Sequence, residues 1–162
     1  CKCIRLNQSH WIGLADFEQQ SDFSPEMGQR LTREIQSRLV NRLFLPLGTL
    51  PDAFFSELPP LHIQGHVFYW NAYMLASIAE QKLYSLQVVN TDPSPYTVTA
   101  MVLPQPNDFD GIDVVGFVFR GLRQASTRFA TADQVFDYLK ENKVRMFKSK
   151  KLLERINAFW GF

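Results

Sequence analysis

Between Lys143 and Lys151 the chain places five cations in nine residues, Lys143, Arg145, Lys148, Lys150 and Lys151, with no acid among them. Lysine and arginine at this density neutralise phosphates and release counterions, which is the chemistry of sequence-independent attraction to a polyanion. Arg155 carries the series into the segment that follows. The plain alternative is a solvated helix face whose charge only keeps the protein in solution. Position separates the two. Lys140 and Lys143 fall at the C-terminal end of one expected helix, where cations favour the helix dipole by about 0.3–1 kcal/mol. Lys148, Lys150 and Lys151 fall at the start of the next, where they oppose it, and are the stronger candidates for an external acidic partner.

The cluster belongs to a wider asymmetry. Residues 1–119 hold seven lysines and arginines against twelve acids, whereas residues 120–162 hold ten against four, so a net charge of +1 conceals an acidic segment followed by a basic one. Such a division points to nucleic acid, an anionic membrane or an acidic protein face as partner for the basic end.

His62 and His66 form a second constellation, H-x-x-x-H. On a helix this spacing turns both imidazoles to one metal, but Gly65 and its β-rich neighbours favour a strand, where the two lie ~13 Å apart and share no ion. A metal is not expected. His66 as a general acid or base beside Tyr69, Tyr73 or a carboxylate is the catalytic alternative. No nucleophile is marked for it: G-x-S-x-G is absent, and the two cysteines, Cys1 and Cys3, stand at the start. The Asp108–Asp113 stretch lacks an oxygen ligand at Ile112 and a carboxylate at Phe119, so it reads as a turn and not a calcium loop. Phe68, Tyr69, Trp70 and Tyr73 offer a stacking platform or groove wall, although aromatics at this density mostly pack cores. No phosphate-cradling glycine loop occurs, and no cofactor is expected.

The elements that must position these residues follow from caps and periodicity. Ser24-Pro25-Glu26 signals a helix start, and Leu31, Ile35, Leu39 and Leu43 recur at helical spacing, predicting an amphipathic helix over 25–44. Residues 46–60 carry four prolines and read as an ordered loop. His62–Tyr69 suits a strand and Ala72–Leu83 a helix face, with a continuous sheet segment as the rival. Tyr84–Val88 and Tyr96–Leu103 alternate around the turn at Thr91–Pro95 and predict a hairpin. Ile112–Phe119, apolar on both faces, reads as a third strand of the meander, with Phe117 and Phe119 in the core. Thr131-Ala132-Asp133-Gln134 has the form of a capping box, and a last helix over Ser149–Phe159 buries Leu152, Leu153, Ile156 and Phe159.

Together these describe an α+β fold: a small antiparallel sheet, a meander of three to four strands, packed with an N-terminal amphipathic helix and two C-terminal helices. The 162 residues suit one domain, a processed form or a fragment given the missing initiator Met. No apolar run is long enough to span a membrane. The function expected is a non-catalytic binding or adaptor module that contacts an acidic partner, with nucleic acid or a nucleoprotein assembly favoured. Its binding residues are Lys143, Arg145, Lys148, Lys150, Lys151 and Arg155, and its expected location is the cytoplasm. The alternatives are an enzyme with an aromatic-lined cleft using His66, and a lipid-anchored envelope protein modified at Cys1.

Overall fold

The computed structural model describes residues 2–42, 44–90, 97–103, 113–124 and 128–162. Strands β1 (Cys3–Arg5) and β2 (Trp11–Gly13) form an antiparallel hairpin. The Asn7 carboxamide oxygen closes its turn by accepting the Ser9 and His10 N–H groups at 3.0 Å each. Helix α1 (Leu14–Gln20) follows at once, and α2 (Pro25–Leu39) starts where the sequence places it, with Ser24 Oγ accepting the Met27 N–H. It buries Leu31, Ile35 and Leu39 but stops short of residue 44, because Val40 turns extended and Asn41 adopts a left-handed φ of 63°. Strand β3 (Leu45–Pro46), a single 3-10 turn (Leu47–Thr49) and α3 (Asp52–Ser56) occupy the proline-rich stretch.

Leu61–Phe68 is not one strand. It folds into β4 (Leu61–Ile63) and β5 (His66–Phe68), paired antiparallel through a turn at Gln64 and Gly65 with φ of 53° and 80°. Helix α4 (Ala72–Lys82) is capped by the Asn71 carboxamide oxygen on the Met74 N–H, which disposes of the continuous-sheet alternative. Strands β6 (Gln87–Asn90) and β7 (Ala100–Leu103) pair antiparallel as the expected hairpin.

The third strand of the expected meander is a correction. Residues from Val114 onward form α5 (Val114–Gln124), and the third strand of the sheet is β3, which gives the order β3-β7-β6. Helices α6 (Ala132–Glu141) and α7 (Lys150–Trp160) end the fold. The architecture is α+β with small antiparallel sheets. Among the described residues no helix is long and apolar enough to cross a membrane. The expected turns at Thr91–Pro95 and, up to Ile112, at Asp108–Asp113, the end of the helical stripe at Leu43, and Cys1 lie outside the described residues.

All four side chains of β7 are buried, and they divide between two cores. Successive side chains of a strand point to opposite faces. Ala100 and Val102 therefore join Leu31 and Ile35 of α2 and Met74, Leu75 and Ile78 of α4, while Met101 and Leu103 join Val118, Phe119 and Leu122 of α5 with Val135, Leu139, Leu152 and Ile156. The flanking strands obey the same alternation, since Val88 packs on the first core and Val89 on the second, and Leu45 on the first and Phe44 on the second. The sheet is thus the middle layer between two layers of helices. Burying each Val, Leu or Met of β7 contributes about 1.5–3 kcal/mol, which outweighs the weak pairing of such short strands.

Candidate functional site

The basic segment is positioned by the two ends of α6. At its start Thr131 Oγ accepts the Gln134 N–H, and Gln134 Oε1 accepts the Ala130 N–H at 2.7 Å, a capping box whose return bond reaches one residue further back than the usual form. At its end the Lys143 N–H donates to the Lys140 carbonyl and the Val144 N–H to the Leu139 carbonyl. This is a Schellman closure, with buried Val144 set against buried Leu139. The position that closes it must be left-handed. Glycine usually fills that position, yet here it is Lys143 with φ of 58°. A side chain in that conformation costs about 1–2 kcal/mol, so Lys143 sits where its backbone gains nothing from being lysine.

The chain then runs without regular structure to Ser149, whose Oγ accepts the Leu152 N–H and starts α7. Between this segment and the first helical layer lies a cleft of about 780 Å³. One wall carries Phe136, Lys140, Lys143, Arg145 and Lys148, and the other carries Gly48, Ala72, Tyr73, Thr97 and Val98. The opposing wall depends on a close approach, because a Cβ added at Gly48 would stand 3.3 Å from the Val98 carbonyl oxygen. Among the described residues the lining holds four cations and one carboxylate, that of Asp137, so its potential favours anions. Tyr73 and Phe136 add two aromatic rings.

The structure brings together three of the six sequence-derived residues, Lys143, Arg145 and Lys148, and adds Lys140, which the dipole argument had set aside as structural. Lys148 Nζ lies 3.2 Å from Asp133 Oδ1 and 4.9 Å from the centroid of the Phe136 ring. With side chains 62% and 79% exposed, that ion pair contributes little and can be exchanged for a stronger anion. Lys150 and Lys151 are exposed on the first turn of α7 and do not line the cleft.

Arg155 serves another purpose. Its Nη1 and Nη2 donate to Asp113 Oδ2 and Oδ1 at 2.8 Å each, and its guanidinium stands 5.9 Å from the centre of the Phe119 ring. Asp113 Oδ1 also accepts the Gly116 N–H at the start of α5, so one carboxylate caps α5 and holds α7 to it. The Arg155 hydrogen bonds, then the Gly116 N–H, hold the Asp113 carboxyl down at about 2, below its ordinary 3.8. A carboxyl lowered on folding contributes stability fully above its unfolded value and loses it as pH falls through the folded one. Because Asp113 is 59% exposed, solvent screening leaves about 1 kcal/mol. Asp113→Asn keeps the cap and removes the charge; urea unfolding should show it about 1 kcal/mol less stable than wild type at pH 6, with the difference closing between about pH 4 and pH 2.

The histidines do not meet. His62 Nδ1 lies 3.0 Å from Asp22 Oδ2 and the His62 N–H donates to Asp22 Oδ1, which ties β4 to the segment before α2. His66 is exposed on β5, paired across the hairpin with Ile63 and away from the cleft. Of the aromatic run, Trp70 is buried with its Nε1 donating to the Pro59 carbonyl, Tyr69 is 75% exposed, and Tyr73 forms part of the cleft. Among the described residues no three His, Cys, Asp or Glu side chains converge as metal ligands. A groove of about 540 Å³ beside α2 holds Arg33 and Lys82, but Lys82 is paired with Glu18 at 3.1 Å. No family model, curated protein or solved structure matches the chain.

Proposed function

We propose that the chain is a non-catalytic binding module that takes the phosphate backbone of a nucleic acid into the cleft between α6 and α4. The observation that carries this reading is the concave arrangement of Lys140, Lys143, Arg145 and Lys148 around one opening, with Tyr73 and Phe136 on its walls. A bilayer offers a broad surface and cannot enter such a cleft, whereas a phosphodiester chain can thread it with its charges against the cations. The left-handed Lys143 supports the same reading, because a backbone outlier held at a cost is expected where its side chain has a use.

The test compares binding of fluorescently labelled mixed-sequence RNA and DNA by anisotropy across four proteins. The wild type should bind at low salt, Lys143→Glu/Lys148→Glu should not, and Lys150→Glu/Lys151→Glu should bind nearly as well as wild type. Lys143→Gly separates folding from binding: it should gain about 1 kcal/mol of stability by relieving the left-handed strain while binding more weakly. Loss of binding in the Lys150/Lys151 pair alone would move the site to the exposed start of α7. No binding by the wild type at low salt would end the nucleic-acid reading.

A further inference from the structure

The basic cleft does not end at Tyr73. That side chain, with Thr97 and Val98, is shared with a second hollow of about 180 Å³, which continues the opening toward Arg5, Glu80 and Asn90. The Arg5 guanidinium carbon lies 4.3 Å from the centroid of the Tyr73 ring and 4.7 Å from that of Trp11. It is fixed there, because Nε donates to the Asn7 carbonyl at 3.1 Å and Nη2 to the Gln8 carbonyl at 2.7 Å. The Arg5 backbone N–H donates to Ser77 Oγ at 2.8 Å, which ties β1 to α4. Trp11 remains 54% exposed at the outer end of this ladder.

The two ends of the groove differ in chemistry. At the cleft, four cations stand against Asp137 among the described residues. In the hollow, the Arg5 charge is already engaged by two carbonyl oxygens and two rings, and Glu80 is set to repel phosphate. Phosphates therefore belong at the cleft, and flat uncharged groups that stack on aromatic rings belong at the exposed Trp11 end of the ladder. In a nucleic acid those groups are the bases. A duplex keeps the faces of its bases stacked on one another and offers a protein only phosphates, sugars and base edges, so the ladder is usable only by an unpaired strand.

We propose that the ligand is single-stranded nucleic acid, with its phosphates on the cleft cations and at least one base stacked on the Trp11–Arg5–Tyr73 ladder. This rests on the nucleic-acid reading of the cleft. The experiment measures anisotropy of a labelled mixed-sequence single strand and of the duplex of the same sequence, with wild type, Trp11→Ala and Trp11→Phe, at several salt concentrations. Trp11 is exposed, so its truncation leaves the fold in place, and circular dichroism checks this.

Wild type should prefer the single strand. Trp11→Ala should weaken that binding about 10-fold, leave the duplex unaffected and keep the salt dependence, since no phosphate contact is lost; Trp11→Phe should retain most of the affinity. Equal binding of strand and duplex, with Trp11→Ala like wild type and Lys143→Glu/Lys148→Glu inactive, would overturn the ladder and leave the cleft reading standing. A Trp11→Ala loss equal for strand and duplex would also overturn it. Binding of neither nucleic acid, with binding instead to vesicles containing phosphatidylserine, would overturn both.

Discussion

Phe119→Ala is expected to remove about 3–5 kcal/mol of folding stability, the upper range for truncating one buried aromatic side chain. Phe119 is 2% exposed, and its ring centroid lies 5.6 Å from Phe159 and 5.1 Å from Trp160. The same Trp160 meets Phe129 at 5.8 Å, and Phe129 meets Tyr138 at 5.5 Å, so a chain of rings that begins at Phe119 joins α5, α7 and α6. Ring pairs of this geometry add about 0.5–1.5 kcal/mol beyond area burial. The void left by alanine cannot close easily, because β7 blocks collapse on one side with Met101 and Leu103, both at most 1% exposed. Urea unfolding followed by tryptophan fluorescence measures the loss, and Phe119→Leu should cost far less because it preserves most of the volume. A Phe119→Ala cost below about 1 kcal/mol would mean that α5 and α7 are not packed through this ring.

The role of Phe119 illustrates what the sequence conceals. Val114-Val115-Gly116-Phe117-Val118-Phe119 is rich in β-branched and aromatic residues and has glycine inside it, which is strand chemistry by propensity. The helix wins through burial: Val115, Val118, Phe119 and Leu122 recur at helical spacing, and the last three are buried in one core. The deciding signal was Leu122, beyond the limit set for the strand, together with the Asp113 carboxylate three residues before the Gly116 N–H it accepts. Where local chemistry and packing agree, as at the helix starts marked by Ser24, Thr131 and Ser149, the sequence reading and the structure coincide to within a residue or two.

The N-terminal hairpin was not legible for the opposite reason. Strands of three residues hold too little alternation to register, and their turn is set by the Asn7 side chain. The candidate site divides the same way. Its cations were visible as a run in the chain, but charge density says nothing about concavity, because the facing wall comes from Gly48, Tyr73 and Val98, residues far away in sequence. Arg155 looked equivalent to its neighbours until its two hydrogen bonds to Asp113 placed it between helices.

That concavity sets the second large effect, the salt dependence of binding. If Lys140, Lys143, Arg145 and Lys148 each displace the counterions of one phosphate, a single strand should bind with a slope of log K against log salt of about −3, from roughly −0.7 per contact. Raising salt fourfold, from about 50 to about 200 mM, should then weaken binding about 50-fold. The slope counts contacts, so it distinguishes the cleft from the whole basic end of the chain. A surface using Lys150, Lys151 and Arg155 as well would give about −5. Lys143→Ala should reduce the slope by about 0.7 and Lys150→Ala should leave it unchanged, because only the first of these side chains faces the cleft. A slope near zero with affinity intact would mean that the groove binds through its aromatic rings alone, and the phosphate role of all four cations would fall.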